Sequence, residues 1–290
     1  MNAVQVDVFC SQQPMYAAHR RRQYSTVLTA EVNRKGVLDV DTVKGCAAGM
    51  AGRPMGCYGA CYAAATARFR GIDFTKAVTR TTYGAAHTSR IEHAVKMAPH
   101  GLFRVGTMGD PCHDWEHTVQ AVEWLASYAV PVVVTKHWYI ATDEQLRRLV
   151  RCGAVLNTSV SALDTAPQLS HREGQVKRYA RLGGVSVSRA VSCDFDRSHP
   201  TGLRLADIQD RLLSQRHVID NPLRIPTNHE LVVSGVVRVH ARRDLATVRM
   251  VSVARDDTYI GHCDMCPEKC GVAFCGPSHP RPRHPQQQLL

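Results

Sequence analysis

No stretch of the chain approaches the roughly 18 consecutive apolar residues that a membrane span requires; the longest apolar pieces are as short as VPVVVT. A helical membrane protein is thereby excluded, and no membrane partner is expected. The opening residues, MNAVQVDVFCSQQPMYAAHRRR, lack the basic region followed by an apolar stretch that marks a secretory leader. The expected location is therefore the reducing cytoplasm, where the 11 cysteines are thiols or metal ligands rather than disulfides. Acidic residues are also scarce: 25 Asp and Glu face 36 Lys and Arg, a formal net charge of +11. That excess suits a polyanion, and nucleic acid is the expected partner. Basic clusters at HRRRQ, QLRRLVR and VHARRD are spread along the chain rather than gathered in one stripe.

What is present is a regular alternation. From about residue 100, GLFRVGTMGD, VPVVVTKHW, AVLNTSVSALD and VSVSRAVSCDF read as strands. Between and after them lie amphipathic helical patterns, DWEHTVQAVEWLASYA, TDEQLRRLVRCG, PQLSHREGQVKRYARLGG and GLRLADIQDRLLSQRH. Repeated βα units of this length predict an α/β protein with a parallel sheet, a full or partial (β/α) barrel. Each strand ends in polar residues: Asp110 with His113 and Trp115; Lys136, His137 and Trp138; Ser159, Ser161 and Asp164; Cys193 and Asp194. Four decorated ends in succession fit the mouth of a barrel better than the one switch point of a doubly wound sheet. The expected organisation is a lead-in over 1–40 with a strand at STVLTAEVN, the barrel over 41–222, short strands and a cysteine-rich segment over 223–276, and a disordered tail over 277–290.

Two groups of cysteines stand apart from the scattered Cys10, Cys112, Cys152 and Cys193. Cys263, Cys266, Cys270 and Cys275, spaced C-x2-C-x3-C-x4-C, supply four thiols, the number a structural zinc takes. Cys46, Cys57 and Cys61 lie on one glycine-rich loop, 45–61, with no histidine nearby to complete a set of four. Three thiolates suit an iron–sulfur cubane whose fourth iron takes another ligand.

The loop, with the helical CYAAATARF that follows it, resembles the radical S-adenosylmethionine superfamily. Members of that superfamily carry three cysteines after the first barrel strand, commonly as C-x3-C-x2-C; the spacing here is the wider C-x10-C-x3-C. The resemblance implies a 4Fe–4S cluster on Cys46, Cys57 and Cys61 that binds S-adenosyl-L-methionine and, with an electron donor, yields a 5′-deoxyadenosyl radical. It further implies cofactor contacts from Tyr58, Tyr62, Gly106, Ser159 and Ser161. Asp110, Lys136, His137 and Asp164 become the candidates for catalytic contacts. Cys263, Cys266, Cys270 and Cys275 then hold either a second iron–sulfur cluster or zinc.

With the positive charge, the resemblance points to a radical enzyme that modifies or isomerises a base adduct in DNA. Isomerisation of glycyl-thymidine in phage DNA is one such reaction, and it would place the protein in the host cytoplasm. Two other readings compete. A zinc-containing barrel transglycosylase would use Asp110, Asp164 or Asp194 as nucleophile, and leaves the first cysteine group idle. A zinc-stabilised nucleic-acid-binding module makes the decorated strand ends a coincidence.

Overall fold

A computed structural model describes residues 22–239 and 251–276. Cys10, the tail over 277–290, and parts of the lead-in and of two expected strands, VVRVH and VRMVSV, lie outside them. The strands are β1 (Ala30–Val32), β2 (Leu38–Val40), β3 (Val43–Lys44), β4 (Val78–Thr79), β5 (Leu102–Val105), β6 (Val130–Thr135), β7 (Val155–Val160), β8 (Val185–Ala190), β9 (Asp194–Phe195), β10 (Val218–Asp220) and β11 (Val237–Arg238). The helices are α1 (Ala47–Met50), α2 (Tyr62–Phe69), α3 (Gly84–Lys96), α4 (Trp115–Leu125), α5 (Asp143–Arg151), α6 (Ala166–Arg181), α7 (Pro200–Leu213) and α8 (Glu230–Val233).

The main sheet has seven strands in the order β1-β2-β5-β6-β7-β8-β10, parallel except for the hairpin of β1 and β2. Among the described residues each parallel strand of this sheet lies beside the one before it, with no switch point, and β1 and β10 are the outermost strands. Sequential winding without closure is a partial barrel.

Strand alternation sends successive side chains to opposite faces. Phe103, Val105, Val133 and Leu156 pack against Val119, Val122, Leu125, Leu146 and Leu149 from the helices. Leu102, Val132, Val155 and Val187 face the other way and meet Cys270 and Val272 of the cysteine-rich segment. With both faces covered, β7 is buried along its whole length. Helix starts obey local chemistry: Thr142 and Thr165 close capping boxes with Gln145 and Gln168.

Past residue 222 the structure departs from the expected short strands. NHELVV folds as the helical turn α8, because the His229 ring accepts from the Leu231 amide and caps it. β11 is two residues long, and 251–262 holds no strand. No helix among the described residues is long and apolar enough to cross a membrane.

Candidate active site

The cysteine loop reaches the C-terminal ends of the strands through a close crossing of two chain segments. The Gly45 amide donates to the Met108 carbonyl at 2.9 Å, and Gly45 bridges Gly109 just beyond β5. A Cβ on Gly45 would stand 2.0 Å from the Lys76 carbonyl oxygen, and one on Gly109 2.5 Å from that of Val43. Only glycine permits that approach. Cys46 then caps α1, its Sγ accepting from the Gly49 amide at 3.3 Å.

Gly49 also forms a cradle, since a Cβ there would meet Cys46 Sγ at 2.7 Å and Cys57 Sγ at 3.2 Å. Gly56 does the same beneath Cys61, whose Sγ would lie 3.4 Å from the added carbon. Burial pushes the Cys46 and Cys57 thiols up, and each thiol's neighbours on the loop add to the shift. Lys136 opposes the shift at Cys57; a bound cation or cationic cluster would stabilise the thiolates and displace the thiol protons. As placed, no three His, Cys, Asp or Glu side chains among the described residues converge tightly enough to grip a metal ion.

Beside the loop lies a polar quartet in which Asp164 and Arg172 are buried and Tyr58 and Lys136 half-buried. Tyr58 holds a left-handed backbone (φ 59°), unusual for a residue with a Cβ. Its hydroxyl donates to Asp164 Oδ1 at 2.7 Å. Lys136 donates to the same hydroxyl and lies over the ring, 4.2 Å from its centre. Arg172, only 1% exposed, brings Nη1 to 2.5 Å from Asp164 Oδ2 in a buried ion pair. Its Nε donates to the Lys136 carbonyl. Burial works to raise the Asp164 carboxyl, but Lys136, Arg172 and the Tyr58 hydroxyl outweigh it and hold it below the usual carboxylate range. Burial lowers the Lys136 ammonium despite Asp164.

Other candidates belong to the scaffold. Asp110 accepts from the Cys112 amide and the Thr135 hydroxyl through Oδ1 and from the Lys136 amide through Oδ2, clamping the ends of β5 and β6 together. Ser161 donates to the Val191 carbonyl, and its amide donates to Asp164, which builds the turn after β7. His137, at φ 51°, turns its ring to the helix side under Trp115, where Nε2 meets Thr158 Oγ1 at 3.1 Å. Burial drops its pKa to about 3. Gly106 is a packing requirement, because a Cβ would fall 2.1 Å from the Val134 carbonyl. Tyr62 donates to the Thr107 carbonyl and stays 46% exposed, so its ring is open to a ligand. Ser159 shares the inner face of β7 with Asn157 by alternation. Asp194 is forked by Arg238, with both hydrogen bonds at 3.0 Å. Asp110, Asp164 and Asp194 thus each have hydrogen-bond or ion-pair partners.

Three residues outside the strand-end pattern shape the site. Asp41, beyond β2, accepts from the amides of Gly106, Thr107 and Met108, fixing the loop after β5. His229 donates Nε2–H to the Tyr58 carbonyl at 2.9 Å and pins the cysteine loop from above. Arg172 had a signal: Leu169, Arg172 and Tyr179 follow helical spacing, which puts an arginine on a buried face.

No known protein family matches the chain, and no curated protein does. Among solved structures it is similar to a Cys-to-Ser mutant of spore photoproduct lyase, at 13% identity and a TM-score of 0.48, over 86% of this chain and 76% of that one. It is similar also to spore photoproduct lyase complexed with dinucleoside spore photoproduct, at 13% identity and a TM-score of 0.46, over 85% and 76%. A mutant of that enzyme with bound AdoMet and the dinucleoside aligns at 12% identity and a TM-score of 0.45, over 85% and 76%.

Proposed function

We propose that this protein is a radical S-adenosylmethionine enzyme that modifies a base adduct in DNA. The observation that carries the reading is the placement of Cys46, Cys57 and Cys61 on one glycine-cradled loop at the mouth of a partial barrel, beside the Tyr58–Lys136–Asp164–Arg172 quartet. The donor set fits a 4Fe–4S cluster: three thiols, no fourth protein ligand on the loop, and two glycines whose missing Cβ atoms leave room around the sulfurs. When bound, the cluster and S-adenosylmethionine supply a 5′-deoxyadenosyl radical.

The chain's own residues bind and orient. Tyr62, ring exposed and hydroxyl tied to Thr107, offers a face for the adenine. His229 and Asp164 fix Tyr58 from its two ends, so the cysteine loop keeps one conformation. Lys136 Nζ has three donor protons and gives one to Tyr58; the others can hold a substrate carboxylate, such as that of a glycyl-thymidine adduct. Its lowered pKa eases proton exchange at that nitrogen.

Two features support nucleic acid. The chain carries a net charge of +11, and α2, which directly follows Cys61, ends in Phe69, 92% exposed between exposed Arg68 and Arg70. A bare aromatic ring between two cations suits a stacked base and its phosphates.

The test is anaerobic purification and reconstitution. The expected result is a brown protein with about four irons per chain at the mouth, which forms 5′-deoxyadenosine from S-adenosylmethionine with a low-potential reductant and turns over adduct-bearing DNA faster than the free nucleoside. A colourless protein without 5′-deoxyadenosine formation overturns the radical reading. Equal turnover of the free nucleoside overturns the polymer.

A further inference from the structure

We propose that Cys263, Cys266 and Cys270, together with His100, form a structural zinc site at the floor of the barrel, opposite the mouth. The cysteine-rich segment enters there: the Cys263 amide donates to the Lys35 carbonyl at 2.8 Å, just before β2. Asn157 of β7 donates to the Cys270 carbonyl at 3.0 Å, seating the segment on the inner face. Cys263, Cys266 and Cys270 line a small cavity with Val37, Leu102 and His100, and Lys269 at its edge. Cys275 is not on its wall; it follows Phe274, which stacks on His217 with the rings 5.0 Å apart. The spacing C-x2-C-x3-C therefore supplies three donors to one cavity, and the fourth comes from a distant part of the chain. His100 precedes β5 at φ 63°, a left-handed backbone that a residue with a Cβ seldom adopts.

The donor set selects the metal. Three thiols and one imidazole lining one small cavity make a set that structural zinc uses. Charge agrees. Zinc with three thiolates and a neutral imidazole carries a net −1, costly to bury alone. Arg104, which also pairs with Asp39, brings Nη1 to 4.0 Å from Cys270 Sγ, and Arg189 is the second guanidinium beside that thiol. The two guanidiniums offset the anion. The donors line the wall without converging, so binding turns the side chains inward about their χ angles.

The test is metal analysis of the full-length protein purified from zinc-supplemented cells, with cobalt as a spectroscopic substitute. We expect about one zinc per chain, retained when Cys57 and Cys61 are replaced, and a cobalt spectrum with thiolate charge-transfer bands. His100→Ala should weaken zinc against a chromophoric chelator at least about tenfold, since losing a ligand costs no less than losing one of its supporting partners. Cys275→Ser should leave the affinity within about twofold. Absence of zinc and cobalt binding in the wild type overturns the site, as does iron with labile sulfide at this end. An unchanged affinity in His100→Ala, or loss in Cys275→Ser, overturns the ligand set, and neither substitution lies in the buried core.

Discussion

The two cysteine groups occupy opposite ends of one sheet and differ in how they are held. At the mouth, Cys46, Cys57 and Cys61 lie on a loop whose shape comes from backbone crossings at Gly45 and Gly109 and from His229 above it. At the floor, Cys270 is wedged between strands, its carbonyl bonded to Asn157, with Gly271 pressed against Val187 and Val155. The mouth group is supported from outside, and the main core does not depend on its thiols. The floor segment is itself a core element. The two groups thus share a residue type and differ in burial and backing, which suits the proposed chemistry at the mouth and the proposed structural role at the floor.

The largest effect separates the two. Cys57→Ala or Cys61→Ala should abolish mouth iron and all detectable 5′-deoxyadenosine, while urea unfolding shifts by no more than about 1 kcal/mol. Unchanged iron in both would remove the loop from the chemistry. At the floor the balance reverses. A Cβ on Gly271 would stand 2.6 Å from Val187 Cγ2, at a backbone φ of 97°. Gly271→Ala should destabilise the fold by about 2–5 kcal/mol through overpacking and strain together, with mouth iron kept in the molecules that remain folded. Resistance to limited proteolysis equal to the parent's would mean that the plug does not hold the barrel.

The elements were legible because apolar strands and capped amphipathic helices are local patterns: VPVVVT became β6, and the Thr142 cap opened α5. The mouth was legible as a place, since residues after parallel strands gather there, and Lys136, Asp164 and Tyr58 do meet. Which strand-end side chain faces the ligand was not legible. A single left-handed residue at 137 turns His137 toward the helices, and Asp110 is consumed by three hydrogen bonds to its neighbours. Asp41, Arg172, His229 and His100 gain their places from segments tens of residues away, which no local pattern encodes.

A pH series tests the contrast between the helix side of the sheet and the mouth. His137 is buried neutral with a pKa of about 3, against about 6.5 when unfolded. The unfolded chain therefore binds the extra proton between those values. The contribution is intact above about pH 6.5 and is lost as pH falls toward 3, at up to about 1.4 kcal/mol per pH unit. Urea midpoints of the parent at pH 7 and pH 4.5 should differ by more than those of His137→Gln. Equal differences would place the acid sensitivity in the carboxylates instead.

The smallest effect concerns the arginines on the outer face. Arg148 pairs with Glu116 at 2.7 Å and Glu123 at 2.5 Å, Arg151 with Glu144 at 3.0 Å, and Arg147 with Asp143 at 3.9 Å. Their charge is already engaged by neighbouring carboxylates, whereas Arg68 and Arg70 flank an exposed ring on the helix that leaves Cys61. Each phosphate that is no longer neutralised should reduce the slope of log affinity against log salt by roughly 0.9 on duplex DNA. Replacing Arg68 and Arg70 by Gln should therefore flatten the slope by about 1.8, and replacing Arg147, Arg148 and Arg151 should leave it unchanged. A flattened slope in the outer-face triple variant, with none in the Arg68 and Arg70 pair, would move the polymer from the mouth to the helices.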